Sequence, residues 1–460
     1  MAEKYDVAII GAGQGGGPLS SAFGNAGKKT ILIERAHVGG TCVNEGCTPT
    51  KTMIASGRVA YLARRASDYG VQTGSVSVDM VAVRKRKRDI VEQWRSGSEK
   101  GVAETPNLTM LMAEARFTGP KSLLATEVDG TKHEIEAETI IINVGERPSD
   151  PNITGSDSVE ILTSTTIMEL DVVPEHLVVI GGGYIGLEFG QLFHRLGSKV
   201  TIVHRGRQLL GREDPDVSEE MLKILRDDGI EILLETDVSS INNSDAGIEL
   251  RVGEVVTLHA SHVLAAAGRT PNTDSLNLEA AGIETDDRGQ IPSNDRLETN
   301  VPGVFAIGDV RPGPKFTHIS YDDYRILQAN LIDGGKRSVS DRIVPYVVYT
   351  DPQLGRVGMS EKEAEKSGKK FRVASIPMSS VARATETAEP RGIMKVVVDA
   401  DTEQILGAAV LGVEGGELMS MLQIAMWGKL PFTTLRDGVF AHPALSEGFN
   451  SLFFAFQDEE

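Results

Sequence analysis

One pattern, written twice, constrains this chain more than any other. Tyr5-Asp6-Val7-Ala8-Ile9-Ile10 is a short apolar, β-rich run that leads straight into Gly11-Ala12-Gly13-Gln14-Gly15-Gly16. The segment to Ala26 reads as a helix closed by Gly27, and Lys29-Thr30-Ile31-Leu32-Ile33-Glu34 reads as the next strand. Further on, His176-Leu177-Val178-Val179-Ile180 leads into Gly181-Gly182-Gly183-Tyr184-Ile185-Gly186; Gly197 closes that helix and Lys199-Val200-Thr201-Ile202-Val203-His204 follows as a strand. Gly27 and Gly197 each stand 16 residues after the first glycine of their copy, and Glu34 and His204 each stand 23 after it. Glycines cluster in loops by chance, so one such motif says little. Two in register, each between strand and helix, predict two dinucleotide-binding βαβ units. The first glycine permits the tight turn, and the second lets the backbone approach a pyrophosphate at the helix N-terminus. Gly11, Gly13 and Gly16 are thus expected to line one cofactor site, and Gly181, Gly183, Tyr184, Ile185 and Gly186 the other.

The residue ending the second strand distinguishes the two sites. A carboxylate there accepts hydrogen bonds from ribose hydroxyls, and Glu34 fills that place in the first copy. The second copy has His204-Arg205-Gly206-Arg207 instead. Cations at that point can clamp a 2′-phosphate. The first site is expected to take an adenine dinucleotide with a free ribose, and the second NADP.

Composition narrows the class further. At 460 residues the chain has room for roughly three domains of ~150 residues. Its net charge is −18, from 47 basic and 65 acidic residues, the wrong sign for a nucleic-acid binder. The one basic run, Arg84 to Arg88, reads as the solvated face of a helix. No apolar stretch approaches the ~20 residues that span a bilayer, and no secretory leader is visible, so the expected location is the cytoplasm. Two cysteines, Cys42 and Cys47, cannot build a disulfide framework, nor, without clustered histidines, a zinc site, so no metal site is expected. If they matter, they matter as a reactive pair.

That pair lies in Gly39-Gly40-Thr41-Cys42-Val43-Asn44-Glu45-Gly46-Cys47-Thr48-Pro49-Thr50-Lys51, just after the first βαβ unit. Two thiols at a helix start can close a disulfide, and the helix N-terminus with a nearby cation makes them exchange-competent. The stretch resembles the redox motif of the class I pyridine nucleotide-disulfide oxidoreductases, and the resemblance extends over essentially the whole chain. Thr299-Asn300-Val301-Pro302-Gly303-Val304-Phe305-Ala306-Ile307-Gly308-Asp309 resembles that family's second flavin motif, whose aspartate binds the ribityl chain of FAD. Ala441-His442-Pro443-Ala444-Leu445-Ser446-Glu447 resembles its C-terminal motif with a catalytic His–Glu pair, departing only at Ala444, where the family usually has Thr.

The resemblance implies an α/β fold: two Rossmann-like dinucleotide-binding domains, for FAD and NADP, and a C-terminal α+β dimerisation domain. Gly/Pro turns after Ile140-Ile141-Ile142 and after Val263-Leu264-Ala265 place the boundaries. Residues 1–149 and 272–341 would form a discontinuous FAD-binding domain, 150–271 the NAD(P)-binding domain and 342–460 the interface domain. Strand-like runs are expected at Pro345–Tyr349, Ile393–Asp399 and Gln404–Leu411. A helix over Glu417–Met426 is expected to pack Met419, Met421, Leu422, Met426 and Trp427 in a core or subunit contact. The implied reaction passes a hydride from NADPH through FAD to the Cys42–Cys47 disulfide. Cys47 then faces the flavin as the charge-transfer thiolate, Cys42 attacks substrate, and His442 with Glu447 manages the proton. Tyr184 would gate the nicotinamide pocket, and Glu188 would pair with the flavin-side Lys51. Arg35, Gly40, Thr41, Gly145, Gly268 and Arg269 complete the expected cofactor contacts, and a homodimer would share each active site between subunits.

The substrate class is less constrained. A low-molecular-weight disulfide or other oxidised thiol is the main expectation. The stretches His318 to Arg325 and Ser446 to Phe453 look closest to the reactive-chlorine-resistance, mercuric-reductase-like branch, some of whose members reduce copper(II). Mercuric or copper(II) reduction is therefore the alternative, although the second cysteine pair that mercuric reductases use for the metal is missing. A flavoprotein that merely binds nucleotides would not require Cys42, Cys47, Lys51, Glu188, His442 and Glu447 together.

Overall fold

The computed structural model describes residues 2–245, 247–253 and 256–457. Two compact units emerge: Met1–Thr52, Ala82–Ser149 and Gly268–Arg342 form the first, and Met53–Val81, Asp150–Ala267 and Ile343–Glu460 the second.

In the first unit the strand Glu3–Ile10 pairs in parallel with Thr30–Glu34 on one side and Lys132–Ile142 on the other. Leu108–Met112 extends the sheet beyond Thr30–Glu34, and Val304–Ala306 runs parallel to Ile140-Ile141-Ile142. The beginning of Lys132–Ile142 pairs antiparallel with Ser122–Thr126, which pairs antiparallel with Glu114–Gly119. This long strand changes its burial as it changes partners. It alternates exposed and buried residues from Glu134 to Glu138, and then Ile140, Ile141 and Ile142 are all fully buried. Continuous burial is what a parallel strand covered on both faces requires. One face carries Ile9, Leu32 and Ile141 against Leu19, Phe23, Ile326 and Leu327, and the other carries Ile10, Ile31 and Ile142 against Phe117 and Leu123. Each such aliphatic or aromatic side chain contributes about 1.5–3 kcal/mol by leaving water.

The second unit holds the second copy of the motif in a parallel sheet ordered Glu231–Leu233, Lys199–Val203, His176–Ile180, His262–Ala265 and Ile161–Leu162. A separate antiparallel meander comprises Val238–Ser244, Gly247–Val252 and Val256–Ala260. The C-terminal part is a five-stranded antiparallel sheet ordered Pro345–Val348, Gln353–Gly358, Ile405–Gly412, Ile393–Asp399 and Phe371–Pro377. On it lies the helix Gly415–Trp427, which buries Leu418, Met419 and Leu422 and leaves Met421, Ile424 and Trp427 exposed. Strands Gln353–Gly358 and Phe371–Pro377 go beyond the runs legible in the sequence.

Charges join the C-terminal sheet to the second βαβ segment. Lys395, nearly buried, stands 3.3 Å from Asp214, 2.8 Å from Asp216 and 2.7 Å from Glu361. Asp351 accepts from both Arg58 and Arg195, so the chain around residue 58 belongs with this unit. The basic run lies in the helix Met80–Ala103, where Lys85 pairs with Asp89 at 2.6 Å in the open; Lys87, however, is buried rather than solvated.

Candidate active site

Both glycine cradles are built by the same contacts. Gly11 has φ +101°, and a Cβ there would lie 2.4 Å from the Asn143 carbonyl oxygen; Gly181 has φ +125°, and its Cβ would lie 2.6 Å from that of Ala266. The Gly11 N–H donates to Ile33 O at 2.8 Å and the Gly181 N–H to Val203 O at 2.9 Å. A Cβ on Gly16 or Gly186 would stand 2.0 Å from the carbonyl oxygen of Gly11 or Gly181. The fold itself demands these four glycines. Gly183 differs: a Cβ there meets nothing within 4 Å, at backbone angles of −83° and 175° open to any residue. Gly13 is similar, with only Asn143 Nδ2 close, at 3.1 Å. The middle glycines precede the helices Gly16–Asn25 and Tyr184–Leu196, whose N-terminal ends favour negative charge. Tyr184 and Ile185 open the second of these helices, and buried Glu188 one turn on accepts from the Tyr349 N–H at 2.9 Å.

The strand ends repeat one hydrogen bond with different chemistry. Glu34 accepts from the Ala12 N–H and from the Ala36 N–H, both at 2.8 Å. A carboxylate has acceptor sites left after two such bonds. His204 Nδ1 accepts from the Gly182 N–H at 3.2 Å, and Gly182 follows Gly181 as Ala12 follows Gly11. Burial, and then the Arg205 charge, push the imidazole below its ordinary pKa. Positive charge at this strand end is therefore carried by the exposed Arg205 and Arg207, and Arg207 lies 3.2 Å from Glu235. Arg35, beside Glu34, makes an exposed ion pair with Glu114 at 3.8 Å.

The thiols sit on a loop tied to the first cradle. A Cβ on Gly40, whose φ is +61°, would meet Gly13 Cα at 2.6 Å, so backbone touches backbone there. Cys42 lies in the short helix Gly40–Asn44 next to Thr41, and Cys47 is the first residue of the helix Cys47–Arg64, with Lys51 one turn further on the same side. Asn44 braces the loop by donating to Val38 O at 3.0 Å and Gly40 O at 2.9 Å. Cys47 Sγ is 3.2 Å from Thr317 Oγ1, a partner 270 residues away that the sequence motifs do not announce. A hydrogen bond with Cys47, then burial, then the Cys47 charge push the Cys42 thiol up, opposed by Thr317 and Lys51.

Asp309 stands in the turn Gly308–Val310, fixed by a 2.8 Å bond from the Gly308 N–H to buried Asp323. Burial first, and then the Glu146 carboxylate, raise Asp309 to about 6 against the pull of Lys315 and Arg269. Arg269 donates to Glu146 O at 2.6 Å across the two-stranded ribbon Glu146–Pro148 and Arg269–Pro271. Gly145, at φ +65° with open space around it, precedes that ribbon, and Gly268 O accepts the Ser149 N–H at 3.2 Å. Glu146 and Lys315 are further members of the cluster absent from the sequence reading.

In the second unit His442 Nδ1 lies 3.0 and 3.2 Å from the two Glu447 oxygens, which leaves Nε2 as the outward nitrogen. Glu447 ends a short turn before the helix Gly448–Phe454, anchored by fully buried Leu452 and Phe453. The imidazole is 68% exposed. The structure thus brings together Cys42 with Cys47 in one unit and His442 with Glu447 in the other. Among the described residues, no group of three or more His, Cys, Asp or Glu could hold a metal ion, and no helix is long and apolar enough to cross a membrane.

Comparison with known proteins agrees with this arrangement. Residues 5–323 match the family model for pyridine nucleotide-disulphide oxidoreductases, and residues 344–453 match that family's dimerisation domain. The probable pyridine nucleotide-disulfide oxidoreductase RclA of Escherichia coli is 37% identical over 454 residues, covering 98% of this chain and 99% of that one. The mercuric reductase of Bacillus cereus is 34% identical over 461 residues, covering 99% of this chain and 72% of that protein. The solved Cu(II) complex of the HOCl-induced flavoprotein disulfide reductase RclA from E. coli superimposes with a TM-score of 0.90 at 37% identity, over 98% of this chain and 99% of that one. Membership of such a family implies FAD and a pyridine nucleotide as cofactors, and a dimer built through the C-terminal domain. The chain belongs to the pyridine nucleotide-disulfide oxidoreductase family, as a flavoprotein oxidoreductase acting on sulfur.

Proposed function

We propose that the enzyme uses NADPH to reduce a small disulfide or another oxidised thiol. The observation that carries this reading is the thiol pair itself: Cys42 hydrogen-bonds to Cys47, which opens the helix Cys47–Arg64 with Lys51 one turn further on. FAD, when bound, supplies the two-electron relay between nicotinamide and thiols. In this reading Gly11, Gly13, Gly16, Glu34, Arg35, Gly40, Thr41, Lys51, Gly145, Gly268, Arg269 and Asp309 hold FAD. Gly181, Gly183, Tyr184, Ile185 and Gly186 hold NADPH, with its 2′-phosphate on Arg205 and Arg207. His204 shapes that loop as a neutral acceptor.

A thiol pushed above its ordinary pKa needs a base before it can attack. His442 of the partner subunit, oriented by its Glu447, takes the Cys42 proton. Cys42 then attacks one sulfur of the substrate disulfide, and the leaving thiolate takes that proton from the imidazolium. Cys47 attacks Cys42, expels the second substrate thiol and restores the Cys42–Cys47 disulfide. Each disulfide consumes one hydride, which carries both electrons, and one proton from solvent, and is released as two thiols. A dithiol that must be regenerated from NADPH in every cycle suits the reducing cytosol.

A second reading, reduction of a thiophilic metal ion by the same dithiol, draws support from the likeness to mercuric reductase and to the copper-bound E. coli enzyme. Anaerobic NADPH oxidation, measured against low-molecular-weight disulfides, Hg(II) and Cu(II), separates the two. Turnover with one disulfide class, producing thiols and lost in Cys42→Ser, supports the first reading. Turnover with metal ions alone supports the second, and turnover with none refutes both.

A further inference from the structure

Beside the Asp309 turn lies a cluster of charge around the buried Glu146 carboxylate. Glu146 is 6% exposed. Its Oε1 accepts from Gln290 Nε2 at 3.2 Å and stands 3.1 Å from Lys315 Nζ, while Oε2 is 3.9 Å from Arg269 Nε. The Lys315 ammonium also donates to the backbone carbonyls of Asp309 and Arg311. One cation thus ties a buried carboxylate to the segment that presents Asp309.

We propose that Lys315, paired with Glu146, is a positioning residue of the flavin site: it fixes the Asp309 turn and balances its charge, so that the Asp309 carboxylate remains an acceptor for a hydroxyl of the flavin's ribityl chain. The inference rests on the reading of the first unit as the FAD-binding one. The groups that act on Asp309 are Glu146 and Cys47, which raise it, and Lys315 and Arg269, which lower it. Burial already holds Asp309 near 6. Removing Lys315 deletes one of two opposing cations and leaves Glu146 balanced by Arg269 alone, so Asp309 takes up a proton across the neutral range. A protonated carboxyl loses acceptor capacity, and flavin affinity falls with it. Removing the Glu146 charge acts in the opposite direction.

The test measures FAD binding to the apoprotein of full-length wild type, Lys315→Met, Glu146→Gln and the double variant, by recovery or quenching of flavin fluorescence across mildly acid to mildly alkaline pH. Lys315→Met should bind FAD about tenfold or more weakly on the acid side, with the deficit shrinking as pH rises and Asp309 ionises. The double variant should regain most of that affinity and lose the pH dependence of the deficit. A deficit equal at every pH, or a double variant as weak as Lys315→Met, would overturn the proposal. Should Lys315→Met fail to fold, Lys315→Arg decides: it should keep wild-type affinity at every pH, and a loss there would overturn the proposal equally. A wild-type protein that binds no FAD at any pH would instead refute the assignment of the first unit.

Discussion

Replacing Gly183 with Ala adds one methyl group where the protein itself leaves room. The new Cβ would meet nothing within 4 Å, and the backbone there is extended, so neither clash nor strain opposes it. As a helix N-cap, the change should cost no more than about 1 kcal/mol. The same substitution three residues later, Gly186→Ala, would drive a methyl to 2.0 Å from the Gly181 carbonyl oxygen. Overpacking of that kind costs roughly 1–3 kcal/mol or more, a fall in melting temperature on the order of 5 °C. Binding should show the reverse order of consequences. With the pyrophosphate seated before Gly183 as proposed, a methyl there competes with its oxygens, so pyridine-nucleotide affinity should fall about tenfold, close to 1.4 kcal/mol, through KM rather than kcat. Calorimetric melting gives the first quantity, and NADPH titration with steady-state kinetics gives the second. Should Gly183→Ala bind NADPH as tightly as the wild type, the space before the middle glycine is not the pyrophosphate site. Should Gly186→Ala melt like the wild type, the packing argument for the third glycine is wrong.

Coenzyme choice should follow the strand end: NADPH should be preferred, and Arg205→Glu should raise KM for NADPH about tenfold or more with little change for NADH; equal kcat/KM for the two coenzymes in the wild type would refute this. Mixing the inactive variants Cys42→Ser and His442→Ala under conditions of subunit exchange should restore roughly a quarter of the sites, because a two-fold assembly places one intact pair in each mixed dimer; no recovery despite proven exchange would mean that each chain completes its own site. Glu213, driven up to about 7 mainly by burial, binds its proton more tightly in the folded state than its ordinary value of 4.5 allows. Its contribution to stability is therefore present below the unfolded value and is lost as pH rises toward 7. Glu213→Gln should flatten that decline in a pH series of melting curves, and an unchanged slope would exclude Glu213 as its source.

The parts of this protein that were legible in its sequence are those whose physical demands are local. The third glycine of each cradle packs on the carbonyl of the first, five residues before it, so that spacing shows in the sequence even though distant backbone at Asn143 or Ala266 also presses on the first. Parallel strands such as Ile140-Ile141-Ile142 advertise two buried faces by being apolar throughout. Other parts owe their form to distant chain. Gln353–Gly358 does not look like a strand because it carries Gly355, Gly358 and a buried Arg356; a Cβ at Gly355 would strike the Gly415 carbonyl oxygen at 2.3 Å, so that glycine exists to let a helix lie directly on the sheet. Nothing in the helix Cys47–Arg64 marks a break, yet Arg58 belongs with the second unit because its partner is Asp351. Thr317, Glu146 and Lys315 reach the site only through folding, and their residue types carry no pattern that spacing could detect.

The central claim is that electrons from the pyridine nucleotide come to rest on Cys42 and Cys47. An anaerobic reductive titration with NADPH, followed by flavin absorbance and by thiol counting in denaturant, tests it directly. Beginning from the oxidised enzyme, the first equivalent should generate both thiols of the chain's two cysteines while the flavin remains oxidised, with a long-wavelength thiolate–flavin band. Cys42→Ser should show that band without reduction, and Cys47→Ser should lack it. If the first equivalent instead bleached the flavin, with no new thiols and no long-wavelength band, the cysteine pair would not be the electron acceptor and the account would be contradicted.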